Sequence, residues 1–509
     1  MSRRRERNRA NRRKVASLPK EVFRPIFNPH APYNILRQDQ LIQLHDASMH
    51  ILENVGIDFL DDEALTIWEQ AGAKVDRSTQ HVWIDRGLVE QALTTAPSEF
   101  KWRARNSAHD VMVGGNHIAC GPCGGMVYAH DMDNGRRPGL FADFEKLVKL
   151  TQLCPQLHFG QWEQVAIHDV PVSFRHLENM RAGLLLTDKA LMAAAHGHVI
   201  TADHIELARI AFGGTLPDDP IIGDVINVNS PLRYDDRMLG GLITYARAGQ
   251  VTYITPFILA GAMSPVTMAA AFAQQNAEAL AGITLTQLVR PGAPVGYGGF
   301  TTNTDLKSGS PAFGTPEGAW ALFVGGQLAK HYGLPYRGSG SLTNATVPDA
   351  QAAYESAWNL WPCVLAHTNL VMHAVGWMEG GLTASFEKFV IDAENLAMFA
   401  KFLQGFEISA ETLALDAIAE VGPGGHHFGT QHTIERYRNA FHKSELANRF
   451  GYDAWEQRGG EDAYKRANTL WKKQLAEYEA PPIDPAIRDE INDYVERRKR
   501  ELDGVDLYD

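Results

Sequence analysis

Eight short apolar runs, each closing on Gly, Pro, Asn, Ser or Trp, recur through the middle of the chain and alternate with stretches of helical periodicity. They centre near Ile118, Phe159, Met192, Val225, Thr252, Val295, Tyr336 and Leu370, about 27 to 43 residues apart, the step of a repeated strand and helix unit. Eight such units predict an α/β fold of the (β/α)₈ TIM-barrel type. Helical connections are expected at 144–153, 204–211, 269–288, 317–332 and 350–365. In such a barrel the chemistry lies at the carboxyl ends of the strands, so the residues just after each run are the ones to inspect.

The chain has 509 residues, whereas a minimal barrel needs roughly 250, so additions are expected at both ends. Residues 1–30, with Arg3, Arg4, Arg5, Arg7, Arg9, Arg12, Arg13 and Lys14, read as a basic disordered arm, and 31–115 as an N-terminal helical cap with helices at 39–54 and 88–96. The barrel is expected over 116–430. A helical extension follows over 431–509, whose charged helices at 463–478 and 485–502 are expected to wrap the barrel or join subunits.

Composition narrows the picture further. A net charge of −12 argues against a nucleic-acid-binding body, and no apolar run is long enough to span a membrane. The basic start lacks the apolar stretch of a secretory signal, and four cysteines are not a disulfide framework, which points to the cytoplasm. Cys120-Gly121-Pro122-Cys123 spells a redox motif, but it runs into Gly124-Gly125-Met126-Val127-Tyr128 and Asp133-Asn134-Gly135, a strand and hairpin signal. Thiol activation needs a helix N-terminus instead. His426, His427 and His432 cluster without a carboxylate or thiol at ligand spacing, so no metal site is assigned. Gly338-Ser339-Gly340-Ser341 after the seventh strand is a weak phosphate-cradle signal, since it lacks the full glycine fingerprint.

The strand ends are rich in rings, amides and small residues and poor in nucleophiles. Trp162 and Glu163 follow the second strand, Asn227, Asn229 and Ser230 the fourth, Phe257 the fifth, and Phe300, Asn303 and Asp305 the sixth. Arg337 stands on the seventh, His373 on the eighth, with Trp377, Glu379 and Phe386 beyond it. Such a mouth suits a quaternary ammonium, which has no hydrogen-bond donor and is held by ring faces and a distant carboxylate. The expected cage is Trp162, Phe257, Phe300, Trp377 and Phe386, with Glu379 facing the cation and Arg337 and His373 meeting a carboxylate at the ligand's far end. No side chain is assigned as a catalytic acid, base or nucleophile.

Several stretches resemble the trimethylamine methyltransferase family. They are Ile51-Leu52-Glu53-Asn54-Val55-Gly56-Ile57, Asn229-Ser230-Pro231-Leu232, Gly333-Leu334-Pro335, Pro348-Asp349-Ala350-Gln351, Glu379-Gly380-Gly381-Leu382 and Glu420-Val421-Gly422-Pro423-Gly424-Gly425, spread over nearly the whole chain. The resemblance implies a barrel that moves a methyl group from an amine to the Co(I) of a corrinoid (cobalamin) carried by a separate small protein. The family's pyrrolysine position falls within Gly338 to Val347, where this chain has only standard residues. That difference points away from trimethylamine and toward a quaternary amine such as glycine betaine. The reading is therefore a cytoplasmic enzyme, expected to be a homo-oligomer, with a small quaternary amine and a corrinoid protein as partners and no nucleic acid or membrane. The alternatives are a corrinoid-independent enzyme that passes the methyl to tetrahydrofolate, and a non-catalytic betaine sensor.

Overall fold

The computed structural model describes residues 23–507; the Arg-rich start of the expected basic arm lies outside the described residues. Its centre is a ring of eight parallel strands, β1 (His117–Cys120), β2 (Phe159–Gly160), β3 (Ala190–Met192), β4 (Ile222–Val228), β5 (Val251–Ala260), β6 (Val295–Gly298), β7 (Tyr336–Ser339) and β8 (Leu370–Met372). Each of the eight apolar runs contains one of them. Ladder pairing runs from β2 in order to β8 and on to β1. The circle closes where the His158 amide donates to the Cys120 carbonyl at 2.7 Å.

A helix follows every strand: α1 (Phe141–Leu153), α2 (Arg175–Leu186), α3 (Gly197–Ala211), α4 (Asp236–Arg247), α5 (Met268–Val289), α6 (Pro316–His331), α7 (Ala350–Leu365) and α8 (Phe386–Leu403). Side-chain alternation along the strands divides the residues between two cores. Ile222, Ile226 and Val228 of β4 face outward to the helices, whereas Val225 packs with an interior cluster of Ala119, Phe159, Met192, Tyr253 and Met372. Several inward positions admit no side chain. A Cβ on Gly121 would lie 2.1 Å from the Phe159 ring, and one on Gly296 would lie 2.5 Å from the Tyr253 ring.

The two ends of the barrel are closed differently. Phe100, Trp102, Val111 and Val113, from the paired strands Glu99–Trp102 and Val111–Gly114, join the interior cluster and plug the amino-terminal end. At the opposite end a four-stranded sheet of Trp377–Met378, Thr383–Ser385, Tyr128–Asp131 and Gly135–Pro138 overhangs the rim.

The N-terminal cap is not purely helical. Besides the helices Gln38–His50, Asp62–Gln70 and Arg86–Leu93 it contains Ile57–Phe59, Lys74–Asp76 and His81–Trp83, which form a sheet with Arg233–Tyr234 from the barrel. These three-residue strands are too short to show an alternation in sequence, which explains why helical periodicity dominated there. In the extension, α9 (Ala463–Ala476) packs on α1 and α8, and α10 (Pro485–Glu501) packs on α2 and α3, so both wrap the barrel. Asp203 of α3 anchors α10, accepting from Tyr494 Oη at 2.6 Å and Arg498 Nε at 2.7 Å. No helix among the described residues is long and apolar enough to cross a membrane.

Candidate functional site

The upper half of β5 outruns β6 and pairs with a separate strand, Phe300–Thr304, in the register Phe257 to Phe300. Phe257 and Phe300 thus become cross-strand neighbours with ring centroids 5.2 Å apart. Both are half-buried and lie above the interior cluster, because Phe257 continues the inward face of Val251 and Tyr253. Phe300 is the hub of the group. Phe313 stacks on it at 5.6 Å, His373 lies at 5.8 Å and Trp377 meets it edge-on at 5.9 Å. His373 and Trp377 are themselves 4.6 Å apart.

Below these rings sits a buried cation. The Arg337 guanidinium is 5.4 Å from the Phe300 ring centre, donates from Nε to Met372 Sδ and from Nη1 to the Gly299 carbonyl, and is 2% exposed. Among the described residues no carboxylate lies within ion-pair distance of it. Asp224 acts on it only weakly, and burial pushes that carboxyl up to about 8. Burial lowers Arg337 to about 10, which still leaves it charged at neutral pH.

His373 faces Arg337, with Nε2 3.5 Å from Nη2. Its other ring nitrogen, Nδ1, accepts the Gly124 backbone N–H at 3.3 Å. An amide only donates, so Nδ1 is the bare nitrogen and the neutral ring carries its proton on Nε2. Burial, and secondly Arg337, hold the imidazole well below its ordinary value, which keeps it neutral. The 3.5 Å contact therefore joins two donors, and among the described residues no hydrogen-bond acceptor is shared by the two.

Two further groups hold this geometry. Lys388 and Asp392 form a fully buried ion pair at 2.6 Å on α8. Asp392 accepts the Gly376 amide at 3.0 Å, just before Trp377, and Lys388 reaches the Ser341 carbonyl at 3.4 Å, just beyond β7. The pair thus ties the segment just beyond β7, the strand of Arg337, to the residue just before Trp377.

A family model described as trimethylamine methyltransferase (MTTB) matches residues 2–503. The chain belongs to this family. It is 36% identical to a glycine betaine methyltransferase of Desulfitobacterium hafniense over 472 residues, covering 92% of this chain and 98% of that one. It is 30% identical over 484 residues to a trimethylamine methyltransferase, MttB2, of Methanosarcina mazei, covering 92% and 95%. A crystal structure of the monomethylamine methyltransferase MtmB of Methanosarcina barkeri aligns at a TM-score of 0.45 and 10% identity, over 87% of this chain and 98% of that one. Membership of the family makes the chain a methyltransferase.

In this methyltransferase, five of the eight expected ligand-binding residues come together: Phe257, Phe300, Arg337, His373 and Trp377. The other three do not. Trp162 lies in the turn beyond β2 and packs against His196 at 5.4 Å and His204 of α3 at 6.2 Å, away from the ring group. Phe386 is buried at the start of α8 against Trp471 of α9, at 4.9 Å, and is core. Glu379 receives Arg136 Nε at 2.7 Å and Thr383 Oγ1 at 2.6 Å in the overhanging sheet, so its charge is already answered.

Other sequence signals resolve equally plainly. Cys120 and Cys123 are free and buried, and burial pushes Cys123 up to about 12 and Cys120 higher still, so neither is a thiolate at neutral pH. The Gly340 and Ser341 amides are taken by the Met372 and His373 carbonyls, which leaves no cradle for a phosphate. Asp305 folds back on its own turn through Ser308. Among the described residues no group of three or more His, Cys, Asp or Glu side chains is arranged to hold a metal. Phe313 and Gln161 escaped sequence reasoning. Phe313 lies in an irregular loop beyond the sixth strand, and Gln161 stands beside the more conspicuous Trp162.

Proposed function

We propose that this enzyme demethylates a small quaternary amine carrying a carboxylate, glycine betaine in the first instance, and hands the methyl group to the Co(I) of a corrinoid on a separate protein. The observation that carries the reading is the pair of facing donors, Arg337 Nη2 and His373 Nε2, buried at the foot of a wall of aromatic rings. A carboxylate supplies the missing acceptor for both, and charge-assisted hydrogen bonds of this kind are worth roughly 1.5 to 3 kcal/mol. The trimethylammonium end then rises among Trp377, Phe300 and Phe257, each ring face adding roughly 0.5 to 2 kcal/mol. The name of the Desulfitobacterium relative agrees with this choice.

The chain's own part in the reaction is binding and aiming. The leaving group of a quaternary ammonium is a neutral tertiary amine, so one C–N bond breaks without a proton moving and no general acid is needed. Fixing the carboxylate at the foot of the well points the methyl groups toward the rim, where Asn227 and Asn229 are exposed. The rings exclude water from the cation, and the partner's corrinoid, when docked, supplies the nucleophilic metal. No residue of this chain is required to hold it.

A cytoplasmic setting fits four buried cysteines, none of them in a disulfide. A homo-oligomer fits the strongly exposed rings of Phe406, Phe428 and Phe441 between α8 and α9, which an interface between copies would cover. The functional test supplies purified enzyme and glycine betaine with a reduced corrinoid protein and, separately, with tetrahydrofolate. Dimethylglycine is expected with the corrinoid protein alone; its appearance with tetrahydrofolate instead would refute the acceptor.

A further inference from the structure

Gln161 directly follows β2, two residues beyond the inward-facing Phe159, and is 3% exposed. Its amide rests against Gly124, so closely that a Cβ there would come within 3.1 Å of Cδ. Gly124 is also the residue whose N–H fixes the tautomer of His373. The Gln161 Nε2 is buried and has no hydrogen-bond partner. Burying an amide hydrogen without an acceptor is costly, and the great majority of such groups are satisfied in the working protein.

We propose that Gln161 is a third donor of the carboxylate site, and that with Arg337 and His373 it makes the enzyme select zwitterions over plain quaternary cations. The inference rests on the betaine reading above. Three donors come from three strand ends: the Gln161 amide after β2, the guanidinium on β7 and the imidazole after β8. Gly124 joins two of them, touching Gln161 on one side and His373 on the other. A carboxylate has two oxygens and about four lone-pair sites, enough for three donors. Tetramethylammonium has none, so its binding leaves all three donors unsatisfied. The resulting discrimination comes from stranded polar groups, as well as from added attraction.

The experiment is titration calorimetry on the full chain with glycine betaine and with tetramethylammonium, using wild type, Gln161→Leu and Gln161→Glu. Gln161→Leu is expected to weaken glycine betaine by about 10- to 100-fold while tetramethylammonium changes less than about twofold. Gln161→Glu is expected to weaken glycine betaine further and to strengthen tetramethylammonium, an opposite movement that a merely structural side chain does not produce. The melting temperature of Gln161→Leu is expected to hold or rise, since an unsatisfied amide is removed. Unchanged affinity for glycine betaine, or equal loss for both ligands, overturns the proposal while leaving the betaine reading standing. A wild-type chain that binds neither ligand overturns both.

Discussion

Arg337 Nη2 lies 3.5 Å from His373 Nε2, and both atoms are hydrogen-bond donors. Removing the guanidinium should expose what the pair is for. Arg337→Met is expected to weaken glycine betaine by about 10- to 100-fold, corresponding to a charge-assisted bond of roughly 1.5 to 3 kcal/mol. Tetramethylammonium should bind the variant at least as well as wild type, since a buried like charge has gone. Equal loss of both ligands by calorimetry would mean that Arg337 supports the fold rather than the carboxylate.

Trp377 tests the opposite end of the ligand. Trp377→Ala should weaken glycine betaine by roughly 1 to 2 kcal/mol. The carbon isostere 3,3-dimethylbutanoate keeps the carboxylate and the shape but not the positive charge, so it should be affected less. If the two ligands lose the same affinity, the indole contributes packing area and no cation-π attraction.

The pH profile follows from His373. Burial and Arg337 place its proton affinity well below the ordinary imidazole value, so the ring titrates only on the acid side of about 6.5. Between about pH 6 and 8 it stays neutral and Arg337 stays charged, and affinity and transfer rate should be nearly flat. Below that window protonation would set an imidazolium beside the guanidinium, and the unliganded site should become less stable as pH falls. A steep dependence across pH 6 to 8, measured at saturating substrate, would reveal a proton transfer that this site does not provide.

How much of this was legible in the sequence depends on the kind of feature. Strand position was readable because barrel strands are buried on both faces and appear as unbroken apolar runs, as at Ile118, Val225 and Val295. Side-chain direction was not, because neighbouring residues past a strand end turn to different sides: Trp162 faces His204 of α3, whereas Gln161 beside it rests against Gly124. Phe386 follows the last strand closely in sequence, yet as the first residue of α8 it turns outward to α9. The Arg136 partner of Glu379 lies far upstream, and no local pattern announces such a pair. Recognition of the family, carried by scattered short motifs, needed none of these directions.

The Lys388 and Asp392 pair should behave as a coupled unit. Lys388→Met leaves a buried carboxylate whose partner is gone and is expected to cost about 3 to 5 kcal/mol of stability. Adding Asp392→Leu should recover much of it by chemical denaturation, while glycine betaine affinity stays impaired because the Gly376 amide and Ser341 carbonyl lose their anchors. Full recovery of affinity in the double variant would show that the pair stabilises α8 without positioning Trp377.

The central claim, a quaternary and carboxylated substrate, is tested most directly by comparing initial rates of methyl transfer to a reduced corrinoid protein from glycine betaine and from trimethylamine. Trimethylamine carries no carboxylate for Arg337 and His373, and as a tertiary amine it needs activation that no side chain here is placed to give. Glycine betaine should be turned over rapidly, with one dimethylglycine formed per methyl transferred, and trimethylamine at least about 100-fold more slowly, the loss of roughly one charge-assisted contact or more. Comparable rates for the two amines would contradict the account.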